Sequence, residues 1–194
     1  MNIVIIKYNA GNIMSVDYAL QRLGVNAIVT DDKETIRKAD KVIFPGVGEA
    51  STAMAYLRQH KLDQLIRELK QPVLGICIGL QLLSSHSEEG DVDCIGVFPN
   101  KVKKFEPTMK VPHMGWNTLR NTKSTLFDPS IEGQYVYFVH SYYAEPGEFT
   151  IAQTDYIVPF SSALHKGNFY ATQFHPEKSG TIGAKVLENF IKLC

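Results

Sequence analysis

The chain has 194 residues with 20 basic and 20 acidic side chains. This length predicts one domain over residues 1–194. The zero net charge disfavours nucleic acid and anionic membranes as partners. The apolar stretches fall short of the roughly 20 residues that span a bilayer, and the opening segment lacks the charged region of a signal peptide. The three cysteines, Cys77, Cys94 and Cys194, are too few and too scattered for a disulfide framework or a metal site, so we expect free thiols in a reducing cytoplasm.

The first half of the chain alternates short β-rich segments with helical patterns. Strands are predicted at residues 2–6, 27–30, 42–44 and 73–76. Three helices are predicted from apolar residues at helical spacing. The first carries Val16, Ala19, Leu20 and Leu23 and ends at Gly24, and the second carries Leu62, Leu65, Ile66 and Leu69. The third begins at Gly79. This alternation predicts a parallel sheet with helices on both faces.

The second half is richer in strands, which are predicted at residues 135–139, 149–154, 162–165 and 169–174. Gly167 and Asn168 are typical of a two-residue hairpin turn between the last two, and a helix at 181–193 closes the chain. Residues 88–110 follow no regular pattern and are interpreted as a loop. We therefore expect an α/β fold whose mostly parallel central sheet continues into an antiparallel extension.

A cysteine lies at the junction of a predicted strand and a predicted helix, in the sequence Gly75-Ile76-Cys77-Ile78-Gly79. The pattern is the cysteine form of the nucleophile elbow, in which glycines allow a sharp turn that lifts the nucleophile above the sheet edge. The N-terminus of the following helix favours a thiolate, and the N–H of Ile78 can face an oxyanion. The alternative interpretation is a buried structural cysteine in a glycine-rich turn.

A histidine and a glutamate, His175 and Glu177, follow the last predicted strand on either side of Pro176. The proline favours an extended His175, and in extended backbone both side chains face one side. A carboxylate in that position can bond one ring nitrogen and leave the other to serve the thiol. The alternative is a surface histidine beside a solvated glutamate.

Two glycines flank Val47 in the sequence Pro45-Gly46-Val47-Gly48, directly after a predicted parallel strand. Glycines allow the backbone to approach a substrate and offer N–H donors, although a plain turn has the same composition. Because ligands in open α/β sheets bind beyond the carboxyl ends of the strands, we expect Val47, Cys77 and His175 to converge at one sheet edge. Together the three motifs predict a cysteine hydrolase.

The order of these motifs resembles that of the class I glutamine amidotransferases, and the resemblance covers most of the chain. Within this family, residues 110–117, 138–142 and 175–179 resemble the glutaminase subunits of imidazole glycerol phosphate synthases. The resemblance implies a flavodoxin-like sheet and hydrolysis of glutamine through a thioester. It assigns Cys77 as nucleophile, His175 as general acid and base, and Glu177 as the residue that orients His175. It implies no metal and no organic cofactor.

The resemblance also assigns residues to the substrate and to a partner. Glutamine and its oxyanion would be bound by Gly46, Val47, Gly48, Ile78, Gln81, Ser141 and Tyr142. Trp116, Tyr137 and Lys178 would face a cyclase subunit with a (β/α)8 barrel, which forms a heterodimer with the glutaminase. That subunit would use the ammonia in histidine biosynthesis to make imidazole glycerol phosphate and an aminoimidazole carboxamide ribonucleotide.

One loop departs from the family pattern. The family has Asp-Tyr-Gly-x-Gly-Asn after the first strand, whereas this chain has Lys7 in place of the acid and Asn9 in place of the first glycine, and keeps Gly11 and Asn12. The structure of this loop is therefore the hardest part of the site to predict. Two alternative functions stay open at this stage: a glutaminase for another synthase, such as anthranilate or aminodeoxychorismate synthase, and a non-catalytic regulatory subunit of the same fold.

Overall fold

A computed structural model describes residues 1–9 and 11–194 of the chain. Its strands are β1 (Ile3–Ile6), β2 (Ile28–Thr30), β3 (Lys41–Phe44), β4 (Val73–Ile76), β5 (His86–Ser87), β6 (Val92–Asp93), β7 (Lys101–Lys104), β8 (His113–Thr118), β9 (Tyr135–His140), β10 (Tyr142–Ala144), β11 (Thr150–Asp155), β12 (Pro159–Lys166) and β13 (Phe169–Thr172). Its α-helices are α1 (Ile13–Arg22), α2 (Lys33–Lys38), α3 (Ala50–Gln59), α4 (Leu62–Glu68), α5 (Ile78–Leu83) and α6 (Gly180–Leu193), and short 3-10 helices lie at Pro129–Ile131 and Pro176–Lys178.

The central sheet has seven strands in the order β11-β12-β13-β4-β3-β1-β2. The five strands from β13 to β2 are parallel, whereas β12 and β11 join them as antiparallel neighbours. The parallel strands follow the order of flavodoxin-like sheets. This arrangement confirms the predicted α/β class, the parallel centre and the antiparallel extension.

Four of the five parallel strands, β1, β3, β4 and β13, are buried because helices cover both faces of the sheet, whereas the edge strand β2 is partly exposed. Alternate side chains of β1 enter different cores: Val4 and Ile6 pack with α3 and α4 on one face, and Ile3 and Ile5 pack with α1 and α6 on the other. Full burial on both faces explains why these strands are continuous apolar runs. Among residues 1–9 and 11–194, no helix combines the length and the apolar character needed to cross a membrane.

Two sequence predictions about the second half are wrong in part. The segment 88–110 is not a plain loop, because β6 and β7 within it join a second sheet of order β10-β7-β5-β6. In β7 one buried residue, Val102, lies among three lysines, which gave the segment too weak an apolar pattern to be predicted as a strand. The predicted strand 135–139 does form, as β9, but it pairs with β8 in a separate ribbon and not with the extension.

The β8–β9 ribbon has one inner and one outer face. Val136, Phe138 and His140 of β9 are buried, whereas Tyr135 is exposed and Tyr137 is half-buried on the outer side. The register places His113 opposite His140 and Trp116 opposite Tyr137. The ribbon therefore carries buried histidines toward the interior and aromatic side chains toward the surface.

Candidate active site

Three neighbouring strands end at one place and carry the predicted motifs. β4 lies between β13 and β3, and all three run parallel. Cys77 follows β4 directly, Gly46 follows β3 after Pro45, and His175 follows β13 after two residues. Because the carboxyl ends of these strands lie side by side, the structure brings together residues that are far apart in sequence, as predicted.

The backbone at Cys77 has the sharp turn expected of a nucleophile elbow. Cys77 has φ 54° and ψ −105°, a conformation that costs an L-residue on the order of 1–3 kcal/mol. Hydrogen bonds hold the turn on both sides, since the Cys77 N–H donates to the Thr172 carbonyl at 2.7 Å and its carbonyl accepts from the Leu80 N–H at 3.0 Å. The thiol is fixed where β4 passes into α5.

The glycines around Cys77 are required by close packing. A Cβ at Gly79 would lie 2.2 Å from the carbonyl oxygen of Phe44, and a Cβ at Gly75 would lie 2.9 Å from the carbonyl carbon of Gly79. Both distances are far below van der Waals contact with backbone atoms that cannot move independently. The G-x-C-x-G spacing therefore follows from the approach of α5 to β3 and β4.

We expect Gly79→Ala to lower the free energy of unfolding by about 3 kcal/mol, because the added methyl group must displace the backbone of β3. Gly133→Ala is the matched control. Its φ of 73° strains an alanine, but the new Cβ enters open space, so it should cost about 1 kcal/mol. Urea unfolding of both variants measures the difference, and equal losses would show that the contact with Phe44 is unimportant.

The second motif forms a buried ion pair. Nδ1 of His175 lies 2.7 Å from Oε1 of Glu177, and both side chains are fully buried. His175 has φ −97° and ψ 96°, which is the extended conformation predicted from Pro176. The chain then turns into the 3-10 helix Pro176–Lys178, so the pair meets across a turn and not along an extended strand. The predicted proximity of His175 and Glu177 is confirmed. The expectation that an extended backbone alone brings the two side chains together was incomplete, because the chain turns after His175.

The surroundings of His175 favour its charged form. Burial by itself lowers the pKa of this imidazole, but the charge of a Cys77 thiolate together with the hydrogen bond and charge of Glu177 outweighs burial and raises the pKa to about 10. This shift favours the imidazolium form. Nδ1 is held by the carboxylate, whereas Nε2 is buried and has no hydrogen-bond partner among the described residues. This arrangement can stabilise a thiolate and can also deliver a proton.

Sequence reasoning missed one contact of Glu177. Asn12 lies at the start of α1 in the left-handed conformation, with φ 70°, and its side-chain amide donates to Oε1 of Glu177. Asn12 belongs to the loop that departs from the family pattern. One residue of that loop, Ala10, lies outside the described residues. The neighbouring Gly11 N–H donates to the Val47 carbonyl at 3.2 Å. The altered loop thus still contacts both the carboxylate and the glycine segment.

A cavity of about 280 Å³ opens beside Cys77. It is lined by Val47, Gly48, Cys77, Ile78, Gln81, Glu89, Pro112, Val139, His140, Ser141 and Tyr142. Six of the seven residues predicted to bind glutamine therefore border it. The exception is Gly46, which is buried and does not line the cavity. Glu89, Pro112, Val139 and His140 were not predicted, because nothing in the local sequence relates them to Cys77.

The three residues predicted to face a partner lie near one another on the surface. Trp116 is 55% exposed, and its ring packs edge-on against Tyr137 with 6.0 Å between ring centres. The carbonyl of Tyr137 accepts a hydrogen bond of 3.0 Å from the His175 N–H. Lys178 is exposed and follows Glu177 in the 3-10 helix. Tyr137 and Lys178 therefore adjoin the buried pair, and Trp116 packs against Tyr137.

Among residues 1–9 and 11–194, no cluster of three or more His, Cys, Asp or Glu side chains is arranged to hold a metal ion. Cys94 and Cys194 do not line the cavity, and neither forms a disulfide within the described residues. Burial raises the pKa of the Cys94 thiol to about 12. Of the three thiols, Cys77 is the one that lines the cavity.

The fold is shared with solved glutamine amidotransferases. A crystal structure of a glutamine amidotransferase superimposes with a TM-score of 0.76 at 21% identity, covering 98% of this chain and 97% of the other. The structure of PurLQS from Thermotoga maritima gives a TM-score of 0.72 at 16% identity, with coverage of 98% and 97%. At these identities the likeness concerns the fold alone.

Sequence comparison is more specific. Residues 4–194 match the model of the class-I glutamine amidotransferase family. The imidazole glycerol phosphate synthase subunit HisH of Bacteroides fragilis is 61% identical over 196 residues, which is 100% of both chains. The subunit of the same name from Idiomarina loihiensis is 48% identical, covering 100% of this chain and 98% of the relative. The chain therefore belongs to the class-I glutamine amidotransferase family and, within it, to the HisH subunits of imidazole glycerol phosphate synthases.

Proposed function

We propose that the protein is the glutaminase of an imidazole glycerol phosphate synthase and releases ammonia from glutamine by means of Cys77, His175 and Glu177. The observation that carries the proposal is the strained elbow at Cys77 together with the buried His175–Glu177 pair at the end of the neighbouring strand. The reaction belongs to histidine biosynthesis, in keeping with the names of the relatives, and we place it in the cytoplasm.

The first half of the reaction forms the thioester. The Cys77 thiolate attacks the side-chain carbonyl carbon of glutamine, and a C–S bond forms as the carbonyl oxygen becomes an oxyanion. The N–H of Ile78, at the start of α5, and an N–H near Val47 stabilise that charge. His175 then gives its proton to the leaving nitrogen, the C–N bond breaks, and ammonia departs.

The second half releases glutamate. Neutral His175 takes a proton from a water molecule as the water attacks the thioester carbon. The C–S bond breaks, glutamate leaves, and Cys77 returns to the thiolate beside the imidazolium. Glu177, held by Asn12, keeps His175 in the same orientation through both halves.

Glutamine recognition uses the charged and polar groups of the cavity. Oε2 of Glu89 accepts the Ala50 N–H at 2.9 Å, and burial raises the pKa of this carboxyl. The α-ammonium group of glutamine beside Glu89 would reverse that shift and remove the cost of burial. Glu89 therefore selects an amino acid over a simple amide, together with Gln81 and the backbone at Ser141 and Tyr142.

The ammonia passes to a cyclase subunit with a (β/α)8 barrel, which forms a heterodimer with this chain and makes imidazole glycerol phosphate and the aminoimidazole carboxamide ribonucleotide. No cofactor is required for hydrolysis by these residues.

A strain that lacks its own HisH tests the assignment. We expect this chain, with its cyclase subunit, to restore growth without histidine. The chain could instead restore growth without tryptophan in a strain that lacks the anthranilate synthase glutaminase, or growth without folate in a strain that lacks the aminodeoxychorismate synthase glutaminase. If it did so and failed to restore growth without histidine, that result would favour another synthase.

Loss of Trp116 should weaken the complex. An exposed tryptophan that packs on a tyrosine above the site is a typical anchor, and truncation of such an anchor costs about 2 kcal/mol or more, roughly thirtyfold in affinity. Titration of the cyclase subunit with Trp116→Ala measures this loss. Ile28→Ala, an exposed residue on the far edge strand β2, is the matched control. Equal affinity of the two variants would place the interface elsewhere.

A further inference from the structure

Two buried histidines join the β8–β9 ribbon to the cavity. Nδ1 of His113 lies 3.0 Å from Nε2 of His140, and Nδ1 of His140 lies 2.8 Å from the Tyr142 carbonyl oxygen. At the other end, Nε2 of His113 lies 3.3 Å from the side-chain nitrogen of Asn117. His113 and His140 are 4% and 6% exposed. They form a continuous chain of hydrogen bonds that the proposed reaction does not use.

The two ends of this chain fix every proton within it. A carbonyl oxygen can only accept, so His140 must donate from Nδ1 to Tyr142. At the far end, the amide of Asn117 is oriented independently, because its nitrogen donates to the Asp155 carbonyl at 3.0 Å and its oxygen accepts from the Thr118 N–H at 2.8 Å. The same nitrogen therefore donates to Nε2 of His113.

It follows that both rings are neutral and carry the proton on Nδ1. Nε2 of His113 accepts from Asn117, so His113 donates from Nδ1 to Nε2 of His140. A further proton on either ring would set two donors against each other. The neighbours agree with this assignment, since His113 stacks on Tyr156 and Phe138, and the charge of His175 faces His140.

The inner end of the chain holds the amide of Gln81. The Tyr142 carbonyl accepts from His140 and also from the Gln81 side-chain nitrogen at 3.1 Å. The other proton of that nitrogen goes to the side-chain oxygen of Gln173 at 3.2 Å. Both amide protons of Gln81 are thus donated to the protein, which leaves its oxygen to accept a hydrogen bond from the substrate.

We propose that His113 and His140 are positioning residues, which hold the Tyr142 carbonyl and, through it, present the oxygen of Gln81 to the ammonium group of glutamine. The inference rests on the proposed function. A fixed acceptor oxygen at Gln81 lets the site bind the ammonium group of glutamine without a carboxylate in addition to Glu89 close to Cys77. It also gives a reason for two histidines to be buried among aromatic rings without a charged partner, which costs more than burying phenylalanine.

The test compares two substitutions in the complex with the cyclase subunit. His140→Phe keeps the aromatic packing and removes the donor to Tyr142. His140→Asn loses the ring but keeps a donor close to the position of Nδ1. We expect His140→Phe to raise the KM for glutamine about tenfold while kcat changes less than threefold. His140→Asn should restore KM to within about threefold of the unsubstituted enzyme, which a mere packing role would not do.

A second measurement decides the proton assignment without any activity. Nitrogen-15 NMR of the imidazole rings should show His113 and His140 protonated at Nδ1 from pH 5 to pH 9. An Nε2-protonated tautomer, or a charged ring in this range, would overturn the inference, as would an unchanged KM in His140→Phe. If the unsubstituted complex hydrolyses no glutamine, the proposed function fails instead. If His140→Phe does not fold, the NMR spectrum and His140→Asn still decide.

Discussion

Cys77→Ala should abolish glutamine-dependent synthesis by the complex and leave synthesis from added ammonia unchanged. The expected loss of kcat with glutamine is on the order of 10⁴-fold or more, because the substitution removes the atom that forms the covalent intermediate. The ammonia-dependent rate should be spared because the proposed function assigns cyclisation to the partner. Assays of the reconstituted complex with each nitrogen source measure both rates.

Cys94→Ala is the matched control for this experiment. Cys94 is partly buried, does not line the cavity, and has a thiol whose pKa burial raises to about 12. Its loss should leave both rates unchanged. Equal loss of both activities in Cys77→Ala would contradict the separation of glutaminase and cyclase, because it would mean that the substitution disrupts the complex as a whole.

His175→Ala should be more damaging than Glu177→Gln. In the proposed mechanism the imidazole carries the proton in both halves of the reaction, so its removal should lower kcat by about as much as the loss of Cys77. A glutamine at position 177 can still accept the Nδ1–H of His175 and can be oriented by Asn12. We expect Glu177→Gln to cost roughly tenfold to a hundredfold less in kcat than His175→Ala.

The pH profile of Glu177→Gln provides a separate test of the same pair. The charge of Glu177 helps to raise the pKa of His175, so the neutral amide should lower it. The imidazolium that protonates the leaving nitrogen would then be lost at lower pH, and the alkaline limb of kcat/KM for glutamine should move in that direction. Activities in the reverse order, or an alkaline limb that moves upward, would mean that the roles of His175 and Glu177 are assigned wrongly.

Most of the parallel half of the fold was predictable because β1, β3 and β4 are buried on both faces and are therefore short apolar runs. The strand predicted at 73–76 is β4 with the same bounds, and the turn at Gly167 and Asn168 does join β12 to β13. The small sheets were not predictable in the same way. In β7 a single buried valine lies between lysines, and β8 is interrupted by Gly115. Neither segment therefore shows a clear alternation of apolar and polar residues.

The same distinction applies to the site. Cys77 and His175 could be found because glycines and a proline lie next to them in the sequence and form recognisable short motifs, even though Gly79 is required by packing against the distant Phe44. Asn12, Glu89 and His140 could not, because their importance depends on contacts with residues that are distant in sequence. Asn12 contacts a carboxylate 165 positions away. Such contacts leave no local pattern, so structure was required to find them.

The most direct test of the account is to trap the reaction on Cys77. The complex with its cyclase subunit is mixed with isotopically labelled glutamine, quenched with acid during turnover, digested and analysed by mass spectrometry. The account predicts a labelled γ-glutamyl group on the peptide that contains Cys77, and loss of that group in Cys77→Ala. Continued hydrolysis of glutamine by Cys77→Ala, or a labelled glutamyl group on a different residue, would contradict it.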